Sequence, residues 1–411
     1  MASKLMSLWK DKVAKMKDGS GEEASFDIMY PTGFITLDHL NGTMVHVETD
    51  KIQTSYKSIG IVDGSSNTFI SRPGCGKSTL VTQIIGNLLR QNPDSVAYID
   101  DIEGSLPSAR KGFLLGLNAQ ELETRVHIRN KGITTENVYT QIRAIRDLKM
   151  DNKAEMTYDT GLYDTYGNRI FKMIPTFYFI DSFAMLMPND ISEDEDMDNV
   201  MSGTSTAKKN TYLIKKISQL LKEANIIMFT INHIQDDIQM GFLPKPAQVA
   251  GLKQGERLPG GRAAIYLANN MFRLDEKSTL KATEGYGIDG TVVDITIVKS
   301  RTNATKKSVP LIFDKSNGSF DNILSIYHFM KAQGIIGGAG RSMYLDNCPD
   351  IRFSQKEFKS KLLSDPDLQK AFSELSKEVM DELLSDTKNQ ELSEEAANTA
   401  VDVNSLILSL G

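Results

Sequence analysis

The segment Ser71-Arg72-Pro73-Gly74-Cys75-Gly76-Lys77-Ser78 constrains this 411-residue chain more than any other. An apolar strand at 68–70 leads into it, and a run with helical periodicity, 77–91, leaves it. So tight a passage from strand to helix needs backbone free of side-chain bulk, which Gly74 and Gly76 supply. A strand–turn–helix unit of this kind belongs to sheets with parallel strands, where a helix makes each return crossing.

The rest of the chain repeats the unit. Strand signals fall at 58–63, 96–100, 125–129, 176–181, 226–231, 270–275, 291–299 and 308–313, and helix signals at 134–148, 206–224 and 260–268. The alternation predicts an α/β fold, a mainly parallel twisted sheet flanked by helices. From 291 onward strands follow one another without helices, which predicts an antiparallel extension at one edge. Three stretches interrupt the pattern. Residues 150–175 read as an inserted β-hairpin turning at Tyr166-Gly167-Asn168-Arg169, 187–205 as an acidic loop, and 235–261 as a long loop rich in Gly, Pro, Gln and Lys. A short amphipathic helix is expected at 4–17, with Leu5, Trp9, Val13 and Met16 on one face. The organisation expected is an N-terminal helix or oligomerisation segment at 1–30, a core at 31–325, a small helical region at 326–385 and an acidic, disordered tail at 386–411.

Composition removes several classes. No apolar run reaches 18 residues, so no membrane span is expected. The lysine-rich N-terminus lacks the apolar core of a secretory signal. Two cysteines, Cys75 and Cys348, make neither a disulfide framework nor a zinc pattern, which points to a reducing, cytoplasmic compartment. The net charge is −6, yet 361–411 alone holds 11 acidic residues against 4 lysines, so residues 1–360 stand at about +1. An acidic tail either solubilises the chain or competes with a polyanion for a basic groove.

The loop suits a phosphate chain. Backbone N–H groups of the loop would turn inward at a helix N-terminus, where anions are stabilised. The nucleotide-binding candidates are Arg72, Pro73, Gly74, Cys75, Gly76, Lys77, Ser78 and Thr79. Lys77 can reach the outer phosphates of ATP, and Ser78 can hold Mg²⁺. Ser71 stands where the G-x-x-x-x-G-K-[ST] pattern has its first glycine. The strand Phe177-Tyr178-Phe179-Ile180-Asp181 ends in a carboxylate, so Asp181 is the second metal candidate. Hydrolysis needs a carboxylate to orient water. Asp100-Asp101-Ile102-Glu103 offers Glu103 first and Asp101 second.

Together these residues resemble the RecA recombinase family, and most closely its phage UvsX-like branch, over about 30–345. The similarity is carried by the loop, by Phe34–Leu37 with Leu40-Asn41-Gly42, by Tyr98-Ile99-Asp100 with Glu103, and by Ile180-Asp181-Ser182-Phe183-Ala184 with Pro188. Thr230-Ile231-Asn232-His233-Ile234 and Val298-Lys299-Ser300-Arg301-Thr302 carry it further. The resemblance implies a RecA-like P-loop ATPase core. It implies that Asn232 and His233 sense the terminal phosphate, and that Lys299 and Arg301 act on the ATP of an adjacent subunit. It also places DNA-binding loops at 187–205 and 235–261, with Lys245, Lys253, Arg257 and Arg262 near the DNA backbone. The run Ser-Glu-Asp-Glu-Asp at 192–196 makes the first loop acidic, and Lys208 and Lys209 are its cationic substitutes.

The function so implied is a DNA-dependent ATPase that forms filaments on single-stranded DNA and drives pairing and strand exchange with homologous duplex. Its expected partners are single-stranded DNA, the duplex, further copies of itself, a loading or mediator protein and a single-strand-binding protein. The expected place is the cytoplasm, the host's if the chain is phage-encoded. Two alternatives stay open, a ring-shaped helicase motor on the same fold and a nucleotide-gated scaffold without DNA binding.

Overall fold

The computed structural model describes residues 27–104, 107–164, 166–189, 202–236, 251–259, 268–285, 287–301 and 305–386. Its centre is a nine-stranded sheet. The strand order is Ser319–Asp321, Ser308–Asp314, Gly290–Lys299, Asn270–Leu280, Ser66–Ser71, Ile226–His233, Thr176–Asp181, Val96–Asp101 and Val126–Arg129. The last six run parallel, and the first three join them by antiparallel pairing at one edge.

Alternation within the strands explains the helices on both faces. Phe177 and Phe179 point to one side of the Thr176–Asp181 strand, Tyr178 and Ile180 to the other, and all four are buried. On the first side Leu80, Val81, Ile84, Ile85, Leu88 and Leu89 of helix Lys77–Gln91 fill the core with Phe69, Phe229 and Phe272. On the second, Val138 and Ile142 of helix Thr135–Asp151 meet Leu213, Ile214, Ile217 and Leu221 of helix Ser202–Glu223. Each such side chain contributes about 1.5–3 kcal/mol by leaving water.

The expected strands and the helix at 77–91 are present, with bounds moved by a few residues. The hairpin of 150–175 forms as Thr157–Tyr163 and Arg169–Met173, although the preceding helix runs on to Asp151. Other expectations need correction. The strand at 58–63 is two elements. Gln53–Ser58 pairs with Thr43–Glu48, and Ile61–Val62 pairs with Met29–Tyr30. The positive φ of Gly60, whose Cβ would strike the Tyr30 backbone, separates them. The region 326–385 is not purely helical. Helix Asn322–Ala332 leads to a three-stranded sheet, Ile336–Gly337, Met343–Leu345 and Cys348–Phe353, before helices Phe358–Ser364 and Pro366–Asp381. Its aromatic residues Phe329, Phe353, Phe358 and Phe372 join the same core as the sheet, and Ser385–Asp386 pairs with Thr43–Met44. The amphipathic helix at 4–17, all but the last residue of the helix expected at 260–268, and the tail beyond 386 lie outside the described residues. Among the described residues no helix is long and apolar enough to cross a membrane.

Candidate active site

The parallel strands bring the candidate residues to one edge. Register sets Ser71 beside His233, and Asp181 beside Asp101. The 71–78 loop leaves the central strand there and turns on Gly74 (φ 85°) and Gly76 (φ 82°) into helix Lys77–Gln91. The space around Gly74 is open, whereas a Cβ on Gly76 would come within 3.0 Å of the Phe320 ring. Both positions therefore require glycine, the second for space as well as conformation.

Lys77 is buried and its amine is fully engaged. It donates to Ser71 Oγ (2.8 Å), Arg72 O (3.3 Å) and Ser71 O (3.4 Å) and lies 3.3 Å from His233 Nδ1. Burial lowers its pKa to about 8, against the opposing pull of Cys75, Asp181 and Glu103. His233 Nε2 lies 2.9 Å from Glu103 Oε1. With Nε2 protonated, the ring accepts from Lys77 and donates to Glu103, so one relay joins the loop, the Ile226–His233 strand and the acidic turn.

The three carboxylates of that turn have separate fates. Asp100 takes both arms of Arg129, at 2.7 Å each, and the Tyr178 hydroxyl at 2.6 Å. Asp101 accepts from Lys111 at 2.5 Å, and both side chains are buried. Glu103 reaches His233, on a backbone fixed by N–H bonds from Ile102 and Glu103 to Asp181 O (2.7 and 3.1 Å). Lys111 and Arg129 were not expected. Nothing local marks a lysine ten residues downstream as the partner of Asp101.

Asp181 is buried at its strand end, and the adjoining Ser182 Oγ is buried without a hydrogen-bond partner among the described residues. Among the described residues no group of three or more His, Cys, Asp or Glu could hold a metal ion unaided. Ser78 and Asp181 are the residues that would hold a magnesium ion, and Lys77 the one that would meet phosphate.

Lys299 and Arg301 lie elsewhere. Ile295 pairs with Leu274, which is level with Ser71, while Lys299 pairs with Met271, level with Thr68. The strand runs away from the loop, so Lys299, half-buried, and Arg301, exposed, end toward the opposite edge of the sheet. Burial and the neighbouring Arg301 lower the Lys299 pKa.

Beyond the site, Asn232 Nδ2 donates to Pro259 O (2.9 Å) and ties the strand end to the second long loop. Leu252 and Leu258 of that loop pack on Ile70, Ile234 and Met271. Lys253 and Arg257 are exposed on it. Lys208 is exposed, and Lys209 lies 3.5 Å from Glu136 in a cleft of about 340 Å³ between two helices, beside Tyr139, Tyr212 and Lys216. Lys245 and Arg262 fall outside the described residues.

No protein-family model matches the chain, and no curated protein matches it. What fold and site define is a mixed α/β protein with a mostly parallel sheet, a glycine loop at the carboxyl edge of its central strand, and a Lys–His–Glu relay across that edge.

Proposed function

We propose that the protein is a RecA-like P-loop ATPase whose hydrolysis is driven by single-stranded DNA and completed by a neighbouring copy of the chain. The relay Lys77–His233–Glu103, at one end of three parallel strands of the sheet, carries this reading. Ligands of open α/β sheets sit at that edge. Bound magnesium would neutralise phosphate charge. Lys77 would leave Ser71 and Arg72 for the phosphates, Glu103 would orient the attacking water and accept its proton, and His233 would report the exchange to its neighbour Asn232, which holds the second long loop.

DNA binding and filament assembly follow from the resemblance of the motifs, and the exposed Lys208, Lys253 and Arg257 support them. The test is ATP hydrolysis with and without single strands, beside negative-stain microscopy with an ATP analogue. Stimulation by DNA that disappears in Lys77→Ala, together with filaments, is the expected result. Hydrolysis indifferent to DNA and no filaments would return the nucleotide-gated scaffold.

A further inference from the structure

Arg72, the second residue of the glycine loop, reaches out of the site. Its guanidinium grips Asp236 with both arms, at 2.6 and 3.3 Å, and lies 3.9 Å from Glu256. Those two acids are not independent. Asp236 and Glu256 are direct partners in the short antiparallel ladder Gln235–Asp236 with Glu256–Arg257. The ladder is the stem at which the second long loop leaves and rejoins the core. Two carboxylates placed opposite each other repel, and Arg72, beside both, offsets that repulsion.

Glu256 has its own cation. Arg273, buried, holds it at 2.6 and 3.0 Å and also grips Asp275 at 2.7 and 3.0 Å. That pairing fixes Glu256 to the sheet. Asp236 has only Arg72 beside it in hydrogen bonds and ion pairs between side chains among the described residues, and both side chains of the pair are more than half exposed. The Arg72 carbonyl meanwhile holds Lys77. The residue therefore serves the phosphate loop through its backbone and the stem through its side chain.

We infer that Arg72 is shared between the stem and the nucleotide: a triphosphate in the loop takes the guanidinium from Asp236, and the stem, left with two facing carboxylates, opens. An exposed ion pair is weak, while a triphosphate offers a planar guanidinium several oxygens and more charge. Linkage is reciprocal, so whatever weakens the hold of Asp236 on Arg72 strengthens the nucleotide. This inference rests on the nucleotide reading proposed above.

The experiment measures Mg–ATPγS affinity by equilibrium dialysis, and amide hydrogen exchange of peptides spanning 235–236 and 256–257 with and without it. Wild type, Arg72→Ala, Asp236→Asn, the double variant and Lys77→Ala are compared in low salt. Asp236→Asn should bind about two- to five-fold tighter than wild type, Arg72→Ala more weakly, and the double variant like Arg72→Ala. ATPγS should speed stem exchange in wild type and leave it unchanged in Asp236→Asn, where the facing charges are gone. Unaltered affinity in Asp236→Asn, or a stem indifferent to ATPγS in wild type, overturns the shared arginine and leaves the ATPase reading standing. Failure of wild type to bind ATPγS any better than Lys77→Ala overturns both.

Discussion

Asp101 and Glu103 stand two residues apart, yet the fold gives them different work. Asp101 is paired with Lys111 in the interior, while Glu103 touches the histidine that touches Lys77. Glu103→Gln should therefore bind nucleotide normally and lose about 10²–10⁴-fold in hydrolysis, read as turnover against equilibrium affinity. Asp101→Asn should instead lower stability by about 3–5 kcal/mol, because it leaves the Lys111 ammonium buried without its carboxylate. Urea denaturation separates the two cases. Lys77 adds a pH signature. Burial brings its pKa down to about 8, and phosphate would raise it again. Binding needs the protonated amine, so affinity should hold below about pH 8 and decline above it, with proton uptake on binding. Affinity flat from pH 7 to 9.5 would remove Lys77 from the phosphate contacts.

At the scale of elements, what was legible in the sequence is what burial writes locally. Strands covered on both faces, such as Thr176–Asp181, read as unbroken apolar runs, and helix Lys77–Gln91 shows its stripe plainly. The hairpin Thr43–Glu48 with Gln53–Ser58 was missed because its second strand, Gln-Thr-Ser-Tyr-Lys-Ser, is polar and mostly exposed. The small sheet of 336–353 was missed because its strands are two, three and six residues long and carry no period. Pairs between elements, such as Lys111 with Asp101, leave no local trace at all. Packing between elements is similarly silent until built. Gly86, inside helix Lys77–Gln91, faces Leu115 of helix Ser108–Leu115, and a Cβ there would fall 2.2 Å from the Leu115 carbonyl oxygen. Gly86→Ala should cost about 1–3 kcal/mol despite its gain in helix propensity, measured by thermal melting. Lys149 joins three elements. From helix Thr135–Asp151 its amine donates to Ile174 O (2.6 Å) and Ala224 O (2.8 Å). Burial lowers its pKa from 10.5 to about 7. Between those values the unfolded chain binds the extra proton, so this residue makes stability rise with pH from about 7 upward. Lys149→Met should flatten that slope in urea midpoints taken at pH 7 and pH 9.

For the whole molecule the decisive fact is the different level in the sheet of two sets of cations. Lys77 belongs to the loop edge of the sheet, and Lys299 and Arg301 end toward the other edge, on a strand that runs away from the loop. The strand direction sets the two apart along the sheet. On the function proposed above, a site that uses both is built between two copies, in a head-to-tail contact. Complementation tests this without a structure of the assembly. Lys77→Ala supplies intact Arg301 but no working loop, and Arg301→Ala supplies the reverse. Each alone should hydrolyse ATP at least about 10³-fold more slowly than wild type with single-stranded DNA present, the scale of losing a trans cation. Mixed in equal amounts and assembled at random, about one contact in four joins an intact loop to an intact Arg301, so about a quarter of wild-type turnover should return. Recovery must appear only under conditions that permit assembly and must vanish on dilution below it. Substantial turnover by Arg301→Ala alone, or a mixture no better than its components, would mean that the site is complete within one chain and that the far-edge cations serve another purpose.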